Sequence, residues 1–441
     1  MKRLLSLLLC AVLALFCATT AQAAGVSITL TASEYALHYA FDAGAQDPFV
    51  ILEYTTPAEK GWMMLYSADG HFEGDVSLAY SGAGGKTSVA LTSARTTGSI
   101  GKASTTLPKA VDYQKPTGKS NAKVMDFVLT ETPEGFHYAF NAAGTDYMLL
   151  YWRSKEQTVT QPVYPDENGH YEGDVISDLT FARTQFTVQV KSGSGSMKKE
   201  ATVRKGYQAP EAPQRQEGRL SGVTVCIDAG HQENGRFVNE PIGPGLSGST
   251  SGKGGMAQGT KTNRRESIVC LEIGMLLRDE LLRQGANVIM TREDQTTFHT
   301  NIERCEIAEA GGAQIMLRLH CNNSSNRSKR GIQVYGPLNS DYAKAVADAD
   351  TYREMGQKLL DAMKTRVGMT LANSTGMVRL NDNYVGNNWA KMMCFLVEMG
   401  YLSNPAEEYL LVTPVYQQWL AEGMADGVYE IAVARGWVQA Q

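Results

Sequence analysis

A repeated segment constrains this chain more than any other feature. His38-Tyr39-Ala40-Phe41-Asp42-Ala43 returns as His137-Tyr138-Ala139-Phe140-Asn141-Ala142. Gly70-His71-Phe72-Glu73-Gly74-Asp75-Val76 returns as Gly169-His170-Tyr171-Glu172-Gly173-Asp174-Val175, at the same offset of 99 residues. Two independent matches at one offset predict two copies of a single domain, at 24–110 and 120–207. Residues 26–30 and 186–190 alternate with period two. Asp69-Gly70 and Glu167-Asn168-Gly169 supply turns, and no long amphipathic helix interrupts them. Each copy is therefore expected to be a β-sandwich of the immunoglobulin-like kind. Such modules carry no chemistry by themselves, so the repeated His and Asp are expected to be turn and packing residues rather than metal ligands.

The remaining length calls for further domains, since 441 residues exceed one hydrophobic core. The first residues are expected to leave. Lys2 and Arg3 precede an apolar run over 4–17, and Ala21-Gln22-Ala23 offers small residues for cleavage. This is the pattern of a secretory signal peptide, 1–23, with a core shorter than the roughly 20 residues a membrane span takes. The mature chain is expected to be secreted and to work in the cell envelope, extracellular or periplasmic, with no membrane span. A net charge of −5 supplies no broad cationic field, so nucleic acid is not an expected partner. Beyond the signal lie Cys226, Cys270, Cys305, Cys321 and Cys394. Five cannot all pair and none forms C-x-x-C, so no disulfide framework is expected. Cys226 and Cys394 sit in apolar runs and read as core.

Pro210 and Pro213 mark a linker over 208–220. From 221 to 441 the pattern changes to strands alternating with helices. Strands are predicted at 223–227, 287–291, 314–319, 331–335 and 392–397. Helices are predicted at 266–284, 302–310, 352–367 and 414–434. Such alternation predicts an α/β domain, its mostly parallel sheet covered by helices.

Three of these strands run into residues able to hold a metal or move a proton. The first leads into Asp228-Ala229-Gly230-His231, the third into His320 and the last into Glu398. Ligands of open α/β sheets gather at the carboxyl ends of parallel strands. If the three strands are parallel neighbours, His231, His320 and Glu398 share one crevice, with Gly230 permitting the sharp turn that exposes His231. Glu266 opens the first helix after a Gly- and Ser-rich loop, and a helix start can aim a carboxylate at the sheet edge. Two histidines and one glutamate make a three-ligand set for catalytic zinc, leaving a position open to water. Glu398 is then the spare carboxylate for proton transfer. Each residue has an ordinary reading alone: a turn histidine, or a helix N-terminal charge. A glutamate closing an apolar strand is harder to explain, being costly to bury unpaired. Glu233 and Glu240 are the other carboxylates of the 232–265 loop, which reads as a lid over the cleft.

The same residues carry a family resemblance. Ile227-Asp228-Ala229-Gly230-His231 resembles the opening motif of the zinc N-acetylmuramoyl-L-alanine amidases, the amidase 3 family. Glu266, Val288-Ile289-Met290-Thr291-Arg292-Glu293-Asp294, Arg304 and Leu319-His320-Cys321-Asn322 follow in the family's order. Leu396-Val397-Glu398-Met399-Gly400-Tyr401-Leu402-Ser403-Asn404 closes it as the most specific match. The resemblance covers about 223–434. It implies His231, Glu266 and His320 as zinc ligands and Glu398 as the catalytic glutamate. The implied reaction is hydrolysis of the amide between N-acetylmuramic acid and L-alanine of peptidoglycan. Arg318 departs from the pattern, standing where a small hydroxyl residue is common; strand alternation is expected to turn it away from His320. The competing readings are a zinc peptidase acting on stem peptides and a non-catalytic wall-binding protein. The repeats are expected to meet a wall or surface ligand.

Overall fold

The structure is a computed structural model. It describes residues 19–22, 26–33, 36–57, 60–78, 84–96, 98–110, 122–132, 135–143, 148–153, 158–176, 184–192, 197–205, 209–232, 238–250, 255–368 and 377–440. Most of the expected signal lies outside them. Its described part, Thr19–Gln22, pairs antiparallel with Ser27–Ala32.

The N-terminal half is all strand. In the first repeat one sheet has the order Thr19–Gln22, Ser27–Ala32, Ala36–Asp42, His71–Ser77. The other has Lys60–Tyr66, Phe49–Thr55, Gly85–Ser93, Ser99–Leu107. Their inward side chains, among them Ile28, Leu30, Phe41, Val50, Leu52 and Leu91, fill one core. The second repeat likewise has two antiparallel sheets sharing a core built on Phe136, Phe140, Trp152 and Phe186. Equivalence extends to register. His38 lies opposite Asp75 with Nδ1–Oδ1 3.0 Å, and His137 lies opposite Asp174 at 2.9 Å. The imidazoles of His38 and His137 are thus partners of cross-strand carboxylates, while His170 pairs with the Asn141 side chain.

The C-terminal half is α/β. Its strands are β1 (Thr224–Ala229), β2 (Asn287–Met290), β3 (Ile315–Asn322), β4 (Gln333–Gly336), β5 (Met377–Leu380) and β6 (Met393–Tyr401). The helices are α1 (Glu266–Arg283), α2 (Asn301–Ala310), α3 (Asp341–Val346), α4 (Ala349–Val367), α5 (Val385–Trp389), α6 (Glu407–Leu411) and α7 (Pro414–Ala434). The sheet order is β2-β1-β3-β6-β4-β5. The pairs β2-β1, β1-β3 and β3-β6 are parallel, whereas β4 runs antiparallel to β6. β1 and β6 are mostly apolar up to Ile227 and Val397 because both their faces are covered. Ile227, Leu317, Phe395 and Val397 join the core under α1, α4 and α7. Cys226, Met316 and Cys394 face α2 with Cys305 and Ala308. Among the described residues the five cysteines, Cys226, Cys270, Cys305, Cys321 and Cys394, are buried free thiols. Local chemistry sets the helix ends. Thr300 and Glu303 form a reciprocal capping box on α2. Gly285, at φ 95°, follows the end of α1. Among the described residues no helix is long and apolar enough to cross a membrane.

The segment before β1 does not hang free. Arg215 donates to the Gly285 carbonyl at 2.9 Å, Arg278 donates to the Pro210 carbonyl, and Leu220 is fully buried. The first repeat also docks on the α/β domain. Phe49 and Tyr66 pack edge-on against Trp419 of α7, both at 5.2 Å, and Trp62 lies 4.4 Å from Tyr409 of α6. Arg330 donates to the Arg95 carbonyl across the same junction.

Candidate metal centre and its supports

Because β1, β3 and β6 are parallel neighbours, their carboxyl ends share one rim. His320 of β3 sits in register with Glu398 of β6, and Leu319 with Ala229 of β1. The chain then turns at His231, whose φ of 57° is left-handed and unusual for a residue with a side chain. The sharp conformation belongs to His231 itself, where the sequence pointed to Gly230. Gly230 is needed for space: a Cβ there would lie 2.4 Å from the Leu319 carbonyl and 2.6–2.7 Å from Cε1 and Nε2 of His320. The Gly230→Ala variant is therefore expected to displace the His320 ring. We expect it to lose about 1–3 kcal/mol of stability from overpacking, together with most metal uptake. Melting and equilibrium dialysis against Zn²⁺ check both.

Glu266 completes the cluster from the first turn of α1. Its Oε1 accepts from His320 Nδ1 and from the Cys321 amide, each at 3.0 Å. Its Oε2 accepts from the Ala257 amide at 2.8 Å and lies 3.1 Å from His231 Nε2. Burial alone would raise this carboxyl. The bonds and charge of the two imidazoles outweigh it and hold Glu266 well below the usual carboxylate range. Burial in turn lowers His320, favouring the neutral imidazole that a metal binds. The ligand atoms of His231, Glu266 and His320 all lie within 4.8 Å of one another, so the three can hold a metal ion. His320 Nε2 is buried without a hydrogen-bond partner, as is Oε2 of the adjacent Glu398. Burial, then the charge of Glu266, pushes the Glu398 carboxyl up to about 8.

The other loop carboxylates play different parts. Glu240 is buried and accepts from the Asn301 and Ile302 amides and from Asn301 Nδ2, so it caps α2. Glu233 lies outside the described residues. Loop 255–265 is tied down: Glu408 of α6 accepts from Thr260 Oγ1 and the Lys261 amide, at 3.1 and 2.9 Å.

Sequence reasoning missed the supports beneath the cluster. Asp228, fully buried, accepts from Thr291 Oγ1 at 2.8 Å, from Arg318 Nε at 2.9 Å and from Arg304. Burial opposes its charge, but Arg304 and Arg318 hold it far below the usual range. Arg304 also donates to the Ala229 and His231 carbonyls, and Arg292 to those of Ala229, Gly230 and Ser267. Three guanidinium groups thus fix the turn carrying His231 and the helix start carrying Glu266. Alternation does not separate Arg318 from His320, since strand residues two apart share a face. Arg318 is drawn off by Asp228 and by Asn301 Oδ1 at 2.7 Å.

Residues 225–430, just under half of the chain, match the Amidase_3 family, described as N-acetylmuramoyl-L-alanine amidase. The α/β half is amidase-like. A Bacillus subtilis (strain 168) protein named germination-specific N-acetylmuramoyl-L-alanine amidase is 26% identical over 231 residues. The match covers 49% of this chain and 83% of that protein. A Staphylococcus aureus protein named probable cell wall amidase LytH is 27% identical over 218 residues, covering 48% of this chain and 60% of the relative. Among solved structures, an N-acetylmuramoyl-L-alanine amidase from Clostridium difficile 630 is 24% identical. It aligns over 48% of this chain and 96% of its own, with a TM-score of 0.38. None of the three matches extends over the whole of this chain.

Proposed function

We propose that this chain is a zinc-dependent peptidoglycan amidase that cleaves the bond between N-acetylmuramic acid and L-alanine. One observation carries the reading: His231, Glu266 and His320 meet within 4.8 Å at the rim where Glu398 is the neighbouring strand residue. The family match of 225–430 and the amidase relatives support the choice of substrate. The donor set suits zinc, with two imidazoles and one carboxylate as in open catalytic sites, and the unpartnered His320 Nε2 fits a metal's neighbourhood. A bound zinc would polarise the scissile carbonyl and acidify a water. His231, Glu266 and His320 would hold it. Glu398, whose Oε2 has no partner, would take the proton from water and return it to the leaving L-alanine amine. The signal at 1–23 would place the activity in the envelope, with the immunoglobulin-like repeats carrying or orienting the catalytic half.

Digestion of purified peptidoglycan, followed by identification of new ends, tests the reaction. New L-alanine amines are expected; new ends inside the stem peptide would instead make the chain a peptidase, and no new ends a binding protein. Dipicolinate should abolish release and zinc restore it. The chelated chain is expected to stay folded, since the Glu266 carboxylate already has two imidazole and two amide partners. Circular dichroism of the chelated protein checks this. Unfolding on chelation would make the ion structural.

A further inference from the structure

The first repeat carries a lysine-ringed cleft away from the metal centre. On its Phe49–Thr55, Lys60–Tyr66, Gly85–Ser93 and Ser99–Leu107 sheet lies a cleft of about 610 Å³. Thr55, Ser88 and Ala90 line it with small side chains, and Lys60, Lys86 and Lys102 stand around them exposed. Among the described residues none of these ammonium groups has an ion-pair partner. The one acid in the lining, Glu53, accepts from the Tyr409 hydroxyl of α6 at 3.4 Å.

The second repeat is an internal control. In the first, Trp62, Glu53, Ala90 and Lys102 form one cross-strand row, and Lys60, Thr55, Ser88 and Ser104 the next. The matching rows of the second repeat read Thr160, Tyr151, Gln189, Glu200 and Thr158, Arg153, Thr187, Thr202. Lys102 is replaced there by Glu200, Lys60 by Thr158 and Lys86 by Gln185. The fold of the module does not demand the lysines. They occur in the copy docked on the amidase-like domain, and there the cleft is continuous with the junction. Trp62, in the same row as Lys102, packs tilted against Tyr409 of α6, and Glu408 of that helix ties down the loop leading to Glu266.

We propose that this cleft binds the free carboxylates of peptidoglycan stem peptides, holding the polymer against the face that bears the metal centre. The inference rests on the amidase reading for the identity of the polymer. Its volume suits one short peptide segment. Stem peptides recur along a glycan, so one occupied cleft raises the local concentration of neighbouring bonds at the catalytic rim. Attraction between exposed charges is screened by salt, which gives the site a signature.

The test uses the full chain as Glu398→Gln, so that binding is read without cleavage. It is sedimented with peptidoglycan sacculi stripped of attached phosphate polymers. Neutralising Lys60, Lys86 and Lys102 together to Gln should weaken binding about tenfold at low salt, on the ordinary worth of exposed charge pairs. Neutralising Lys191, Lys199 and Arg204 of the second repeat should leave it unchanged. Sacculi whose carboxylates have been amidated should bind the parent chain as weakly as intact sacculi bind the triple variant. Without the Glu398 change, the triple variant should hydrolyse a soluble disaccharide-peptide at the parent rate but sacculi more slowly. Equal binding by parent and triple variant, indifference to amidation, or binding only to walls that keep phosphate polymers would overturn the proposal. A chain that binds through the lysines yet frees no L-alanine amines would sink the amidase reading and leave the cleft standing.

Discussion

The Glu398→Gln variant is expected to release L-alanine amines from purified peptidoglycan about 10²–10⁴-fold more slowly than the parent chain, the usual worth of a positioned proton carrier. The substitution is isosteric, and Oε2 of Glu398 has no hydrogen-bond partner to lose, so the zinc content should not change. Stability supplies a second readout. In the metal-free chain the folded-state carboxyl stands at about 8, above its ordinary 4.5. Its contribution is full below pH 4.5 and is lost as pH rises through 8. Glutamine removes that loss. The metal-free variant should therefore match the parent at pH 5 and melt higher than it at pH 9. Full-rate hydrolysis would take Glu398 out of the chemistry. Lost activity together with lost zinc would make it a ligand instead of a proton carrier.

How much of this site is legible in sequence follows from which signals are local. The mostly apolar runs 223–227, 314–319 and 392–397 lead into Asp228-Ala229-Gly230-His231, His320 and Glu398, so their ends can be read before their neighbours are known. Their parallel adjacency could then be posed as a condition, and the sheet order β2-β1-β3-β6 meets it. Glu233, Glu240 and Glu266 look alike in sequence, because a long loop has no period. What distinguishes Glu266 is tertiary: amides of Ala257 and Cys321, far apart in sequence, converge on its carboxylate beside His231 and His320. α3, α5 and α6 went unpredicted because five or six residues are too few to show a helical period. The docking of the first repeat was hidden for another reason. Phe49, Ile51, Trp62 and Tyr66 alternate along ordinary strands, and nothing local says that their outward face meets α6 and α7 rather than water. Comparing the copies exposes only part of it: Trp62 stands where the second repeat has Thr160, but Ile51 and Tyr66 stand where it has Leu149 and Tyr164, so most of the docking face looks the same in both.

Arg318 carries the same lesson into energetics, because its meaning depends on Asp228, 90 residues upstream, and on Arg304 of helix α2. The Asp228→Asn variant is expected to lose roughly 3–5 kcal/mol, since it leaves two buried guanidinium groups without their counter-charge. For a domain of this size that lowers the melting point by roughly 6–20 °C. The sign of the pH dependence follows from the lowered carboxyl. Its stabilisation is present above the ordinary aspartate value of 3.8 and is lost as pH falls below it. The parent should therefore weaken steadily in acid below pH 4, while the variant, already without the charge, shows a flatter profile there. Arg304 also holds the Ala229 and His231 carbonyls, so the loss should reach the rim as weaker zinc binding. Adding Arg318→Met to Asp228→Asn removes one stranded charge while keeping an apolar stem beside Gly386, whose missing Cβ makes room for that side chain. Partial recovery in the double variant would identify unpaired charge as the cause. If Asp228→Asn instead melted within about 2 °C of the parent, the buried charge of Asp228 would not be what holds the turn, and the geometry of His231 would rest on the carbonyl contacts of Arg304 and Arg292.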